Sequence, residues 1–398
     1  MKLAQRVARI QPSATLTINS KAKALKQGGT QVINFGVGEP DFSTPVNIKE
    51  AAVAAIWEGH TRYTPVSGID ELKDAVCGTV LKDYGLSYKR ENVLISCGAK
   101  HALYNLFQAV LDPGDEVVIP APYWVSYPDM VKLADAVPVV APCSESRGFK
   151  LQPEELEAAI TPATRLFIIN SPSNPTGAHY TCDELRALAE VLLKHPDVMI
   201  AADDIYYRIL FGGREWSHLA IVEEGLRERT FIINGVSKTY CMTGWRIGYL
   251  VGDAKVVGAA GKIQGQSTSN PTSIAQWASL AALRDDQSAG LEMVQEFEER
   301  SRYVMGRLAQ LPGVTCPSPC GAFYVFPNCS AYYGRRAGDR LISSSLDLAD
   351  YLMEKAHVAV VPGSAFGEDR CIRLSYALSL EEIKEGFDKL SDALNALV

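Results

Sequence analysis

The 398-residue chain contains no run of about 18 apolar residues, so no segment of it is expected to span a membrane. It also has no block of basic residues. Lys and Arg total 39 against 46 Asp and Glu, a net charge of −7, which excludes nucleic acid and anionic membrane as expected partners. The N-terminus, MKLAQRVARIQPSATLTI, lacks the apolar core of a signal peptide. The nine cysteines are odd in number and mostly sit in apolar contexts, which points to free thiols and a reducing cytoplasm. Cys316, Cys320 and Cys329 stand close together, but no second pair and no nearby histidine accompanies them, so no metal site is expected. The one GxG, at Gly36 and Gly38, lacks the third glycine, the helix and the acidic residue of a dinucleotide site.

What is present is a chain 47% hydrophobic and long enough for two domains. Short apolar runs end repeatedly in polar or small residues: VLISC (93–97), EVVIP (116–120), RLFIIN (165–170), VMIAADD (198–204) and TFII (230–233). Alternation with helical segments predicts a mostly parallel sheet flanked by helices. Helices are expected from Thr44-Pro45 to about Glu58, with the Thr44 hydroxyl as cap, and from about Asp70 to Gly85. After Asp285 the pattern becomes a long amphipathic helix (290–311) followed by shorter α+β material. The expected division is a large domain, 45–284, and a small domain made of 1–44 plus 285–398.

In an open α/β sheet, ligands bind beyond the carboxyl ends of the strands. Those ends carry most of the chemistry in this sequence. NGVSKTYCMTGWRIG (234–248) places Lys238 after a buried strand and Arg246 between two glycines. Gly98 and Ala99 open a helix whose free N–H groups suit an anion, although a plain strand-to-helix turn would read alike. Trp124 offers a flat platform or a core residue. Asn174 lies in SPSNPTG, whose two X-Pro bonds are candidates for cis geometry. Asp203 ends an apolar run and so needs a partner, either a ligand cation or, with equal weight, an arginine pair or helix cap. Tyr206 and the late Arg373 complete the set.

The motifs GVGEPDF, RYTPVSG, DPGDEVVIPAPYWVSYP, NSPSNPTG, ADDIYY, SKTYCMTGWRIGYL, GAFYVFP, VVPGSAFG and IRLSYA run in order from near the N-terminus to near the C-terminus. In these the chain resembles the class I, fold-type I pyridoxal-phosphate aminotransferases, and among them the bacterial and plastid aspartate/prephenate subgroup. The resemblance implies an α/β fold with a large cofactor-binding domain and a smaller α+β domain. It also implies pyridoxal 5′-phosphate as cofactor and a homodimer with shared active sites.

By the same resemblance, Lys238 would carry the cofactor as an internal aldimine and later move a proton, and Asp203 would keep the pyridine nitrogen protonated. Tyr206 and Asn174 would bond the phenolic oxygen, and Trp124 would stack on the ring. Gly98, Ala99, Ser237 and Arg246 would hold the phosphate, with Tyr63 from the other subunit. Arg373 would fork onto the substrate α-carboxylate, helped by Gly38, Trp124 and Asn174.

A second cation for a dicarboxylic substrate is absent from QGQSTSN (264–270). In this subgroup a lysine after the phosphate turn serves, with hydroxyls from PSAT. Lys100, Ser13 and Thr15 fit, and Lys100 also adjoins the cofactor site. The expected reaction is amino transfer from aspartate to 2-oxoglutarate among amino and 2-oxo acids. Transfer to prephenate is the alternative, weakened by Gln11, where prephenate users usually carry lysine. Asp204 is a smaller departure, since Glu is commoner there. A cofactor-binding protein without catalysis, and a lyase on the same scaffold, are the remaining classes.

Overall fold

A computed structural model describes all 398 residues. Its centre is a seven-stranded sheet built from β2 (Val93–Ser96), β3 (Glu116–Ala121), β4 (Val137–Pro142), β5 (Thr164–Asn170), β6 (Met199–Asp203), β7 (Thr230–Gly235) and β8 (Gly248–Val251). The spatial order is β2-β8-β7-β6-β5-β3-β4. Six strands run parallel, and β8 alone is reversed, antiparallel to both β2 and β7.

The central strands are apolar on both faces because both faces are covered by helices. On β5, Ile168 packs with β2, β7 and helix 99–110, whereas Phe167 and Ile169 face helix 182–193 on the other side. The same period of two divides Leu94 from Val93 and Ile95 on β2.

The helices follow the expected local signals. Helix α1 spans Val46–Trp57 and α2 spans Asp70–Tyr84, closed by Gly85 at φ 68°. Helix α3 is Ala99–Val110, α4 is Cys182–Leu193 with a Thr181–Glu184 capping box, and α5 is Ser288–Leu308. One expectation fails. Thr44 does not cap α1; its hydroxyl donates to the Cys241 carbonyl at 2.6 Å and accepts the Trp245 indole N–H at 3.0 Å. A distant loop outcompetes the local helix end for that hydroxyl. Both X-Pro bonds in SPSNPTG are cis, as is Ala121-Pro122.

A second body of structure has its own core. Strands β9 (Tyr324–Val325), β11 (Val361–Pro362) and β12 (Ile372–Ser375) form an antiparallel sheet, and Ile33–Asn34, here β1, pairs in parallel with Val358–Ala359, β10. Helix α5 and the C-terminal helix α6 (Leu380–Asn395) cover it, with Phe297, Phe387 and Leu390 buried. Ile205, Tyr206 and Ile209, just past β6, insert into this same cluster. The ends of the large sheet are therefore packed against the second body, and a cleft lies along the seam.

Candidate active site

The cleft holds a cavity of about 410 Å³, within the range of small-molecule sites. Its walls include Ser13, Thr15, Gly38, Ala99, Lys100, Trp124, Asn174, Asp203, Tyr206, Ser237, Lys238, Arg246 and Arg373. Gly98 adjoins it through Arg246. Tyr63 is the exception among the sequence-derived residues: it lies outside this cavity and is 92% exposed.

The sheet explains the convergence. Asp203 ends β6, Lys238 follows β7 by three residues, and Gly98 follows β2 by two. Because β8 is reversed, its beginning lies at this edge, which brings in Arg246 two residues before it. Arg246 sits at φ 57°, a left-handed conformation costing an L-residue roughly 1–2 kcal/mol.

At one end of the cavity a cradle forms around the start of α3. The first N–H groups of a helix have no intrahelical acceptor. Gly98 has φ 88°, and a Cβ there would lie 2.4 Å from an Arg246 guanidinium nitrogen. A Cβ on Gly248 would lie 2.2 Å from the Ala99 nitrogen. Both glycines are needed for Arg246 and the helix start to share one space. Arg246 donates to the carbonyls of Thr243 at 2.8 Å and Cys97 at 3.3 Å, and has no carboxylate partner. This is anion-binding chemistry.

Asp203 is 5% exposed. It accepts the Tyr127 hydroxyl at 2.6 Å and, more weakly, the Ile205 N–H at 3.4 Å. Burial pushes its carboxyl up to about 6; the Tyr127 bond, the Ile205 N–H and the Lys238 charge oppose that rise. Lys238 donates to the Gly38 carbonyl. Burial pulls its amine down to about 8, with Arg373 and Arg246 adding to the pull and Glu39 and Asp203 resisting it. An amine in that range exchanges protons readily near neutral pH.

Arg373 is 2% exposed. It donates to Asn174 Oδ1 at 3.0 Å and to the Gly36 carbonyl at 2.8 Å, while its Nε has no partner. No carboxylate touches this arginine, so it forms no ion pair within the protein. Asn174 is itself set by Asn170, whose side chain accepts the Asn174 N–H at 2.8 Å and donates to the Asp203 carbonyl at 2.7 Å. Tyr206 pairs hydroxyl to hydroxyl with Tyr324 at 2.9 Å. Lys100 lies over the Trp124 ring at 4.9 Å, its amine pulled down by burial and by Arg246.

Sequence reasoning did not single out Tyr127, Asn170, Tyr324 or Glu39, all on the cavity wall. Each lies within a motif or strand run of the sequence, but tyrosines in apolar surroundings read as core, and their polar ends meet the site only in three dimensions.

These features fit a phosphorylated aromatic aldehyde. The cradle takes a dianion, Lys238 takes a carbonyl, and the buried acid suits a ring nitrogen. The Arg373 Nε still wants an acceptor, which a carboxylate would supply.

An amine held near a buried acid, with a bare guanidinium beside them, defines an enzyme of amino- and oxo-acid chemistry on an open α/β scaffold. Comparison with known proteins gives the family: residues 30–390 match the model for class I and II aminotransferases, and the chain belongs to that family. It is 49% identical to an aspartate aminotransferase of Geobacillus stearothermophilus over 399 residues, the full length of both chains. It is 50% identical to an aspartate/prephenate aminotransferase of Cereibacter sphaeroides over 96% of each. The crystal structure of an aspartate aminotransferase from Rhizobium meliloti superposes with a TM-score of 0.96 at 44% identity, covering 100% of both chains. The chain is therefore an aminotransferase of fold type I, a family that uses pyridoxal phosphate.

Proposed function

We propose that this aminotransferase binds pyridoxal 5′-phosphate in the cavity and moves the amino group of L-aspartate to 2-oxoglutarate, forming oxaloacetate and L-glutamate. The cofactor, when bound, supplies a carbonyl and an electron-withdrawing ring. Gly98, Ala99, Ser237 and Arg246 would hold its phosphate, and Trp124 would cover its ring. Asp203 would keep a proton on the ring nitrogen, being anionic above about pH 6. Tyr206 and Asn174 would bond the phenolic oxygen.

Lys238 is the catalytic amine. It receives and returns a proton at its Nζ, which burial keeps near the neutral-to-charged boundary. Arg373 binds the substrate α-carboxylate, with Asn174 and the Gly38 backbone beside it. Lys100, Ser13 and Thr15 would meet the second carboxylate of a dicarboxylic acid. The observation that carries this reading is the buried Arg373 guanidinium without a counter-ion, on the wall shared with Lys238 and Asp203. It supplies the positive charge an amino acid's carboxylate needs, and no carboxylate inside the protein neutralises it.

The test is oxaloacetate formation by purified protein supplied with cofactor, aspartate and 2-oxoglutarate. Lys238→Ala should lose about 10⁴-fold or more in turnover. Turnover that survives that change rules the mechanism out.

A second reading, transfer to prephenate, is favoured by the activity named for the Cereibacter relative and by Lys100 and Thr15 on the wall. Comparing prephenate with oxaloacetate as acceptor decides its share.

The assembly we propose is a homodimer in which Tyr63 reaches the partner's cradle; its 92% exposure in the single chain leaves it available. We further propose the two-domain division at 45–284 against 1–44 plus 285–398, and a cytoplasmic location, in keeping with nine free cysteines. No helix is long and apolar enough to cross a membrane.

A further inference from the structure

The loop from Gly36 to Thr44 deals with both deep cations of the cavity. The Gly36 carbonyl takes Arg373, and the Gly38 carbonyl takes Lys238. The loop is pinned from both sides. Asp41 pairs with Arg300 at 2.7 Å, and the Arg300 guanidinium lies 5.1 Å from the Phe42 ring centre. Thr44 is tied to Cys241 and Trp245. Glu39, next to Gly38 and two residues before Asp41, stands on the cavity wall. Its carboxylate accepts the Thr243 hydroxyl at 2.6 Å and forms no direct ion pair.

We propose that Glu39 is a positioning residue for Lys238: its carboxylate, fixed by Thr243, acts with the Gly38 carbonyl to hold the free amine as an ammonium at the cavity wall. The inference rests on the reading of Lys238 as the amine that takes up the cofactor. Other groups also face that amine. Asp203 favours the ammonium, Arg373 and Arg246 oppose it, and the Tyr206–Tyr324 hydroxyl pair stays neutral because burial raises both. The Glu39 charge is attractive to the ammonium, and Glu39 directly follows Gly38, whose carbonyl takes that amine. It therefore offsets part of the burial effect and makes Lys238 a stronger base. Each turnover that frees the amine returns it to this setting.

The experiment measures the protonation of Lys238 directly, by competitive labelling of lysines with trace acetic anhydride across pH in the full chain freed of cofactor. Glu39→Gln preserves an acceptor for Thr243 and removes only the charge. Because Glu39 is exposed, the expected effect is modest: the Lys238 midpoint falls by about half a pH unit, equivalent to about threefold more neutral amine at neutral pH. Glu39→Asp should stay with the native protein, and molar salt should erase the difference between Gln variant and native chain. An unchanged midpoint in Glu39→Gln, or a Glu39→Asp midpoint equal to that of the Gln variant, overturns the proposal.

Capture of added pyridoxal phosphate, followed by absorbance, separates the two levels of argument. Faster capture by Glu39→Gln at neutral pH agrees with the proposal, and an unaltered pH profile counts against it. Undiminished imine absorbance in Lys238→Ala would instead overturn the reading of Lys238, leaving the labelling midpoint as an independent result.

Discussion

Replacing Arg373 by Met separates what this site does for catalysis from what it does for the fold. Arg373 is the largest fully buried side chain, and its guanidinium has neutral acceptors only. A substrate carboxylate would gain two charge-assisted bonds from it, each worth about 1.5–3 kcal/mol. Losing about 3–6 kcal/mol corresponds to a fall in kcat/KM of roughly 10²- to 10⁴-fold.

Stability should respond differently. A buried charge without a partner is ordinarily the costly outcome of a mutation; here it is the native state. Met keeps the unbranched stem and removes that charge, while Asn174 and Gly36 each lose a donor, at about 1–3 kcal/mol apiece. The opposing effects leave the ligand-free variant within about 2 kcal/mol of the native protein. That is less than the roughly 3–5 kcal/mol usual for truncating a large core side chain.

The assays are a coupled oxaloacetate assay and thermal denaturation with and without succinate. At a hundred times its Kd, succinate should stabilise the native protein by about 2.7 kcal/mol and leave the variant unmoved. Less than a tenfold loss of kcat/KM would refute the carboxylate role. Collapse of the ligand-free variant would refute the claim that the cation is a burden on the fold.

Three further outcomes are expected. Asp203 has a folded value near 6, above its ordinary 3.8, so the folded chain binds more protons than the unfolded chain between those values. Its contribution to stability is therefore greatest below about pH 4 and declines until about pH 6. Tyr127→Phe removes the opposing hydroxyl and should extend that decline to higher pH; urea midpoints of cofactor-free protein across pH check it, and superimposable profiles would refute it. Lys100→Ala should lower kcat/KM for aspartate about fivefold relative to alanine, the modest effect of a charge whose stem is open to solvent while its amine is partly covered by Trp124; equal losses would remove Lys100 from substrate recognition. Gln11→Lys should raise prephenate use relative to oxaloacetate, and an unchanged acceptor ratio would end the argument from that position.

How much was legible in the sequence depended on where each residue's partners lie. β5, β6 and β7 read clearly because parallel strands buried on both faces are nearly continuous apolar runs, and Asp203 stood out as a charge closing such a run. Lys238 and Arg373 were legible through motif context. Thr44 was misread because a hydroxyl before proline looks like a helix cap, whereas its partners are Cys241 and Trp245, about two hundred positions away. Tyr127 and Tyr324 were passed over for a related reason. Their rings pack as core residues do, and only the hydroxyls, directed at Asp203 and Tyr206, belong to the site. The reversed direction of β8 was equally hidden, since strand polarity leaves no mark in a four-residue apolar run.

That reversal has a chemical consequence. A parallel strand at this position would deliver its carboxyl end to the cleft and leave the residues before it at the opposite edge. Running backwards, β8 delivers its beginning, so one short connection from β7 carries both Lys238 and Arg246 to the same edge. The twelve residues of the connection hold one 3-10 turn, Thr243–Trp245, and no α-helix, so the chain returns antiparallel without a helical crossover. Arg246 accepts a left-handed backbone, and Gly98 and Gly248 give up their side chains, so that the turn can close against the start of α3. Amine and anion cradle are thus fixed relative to each other by a single turn rather than by the packing of separate units. The carboxylate fork comes from β12 of the other core and meets that turn across the cleft.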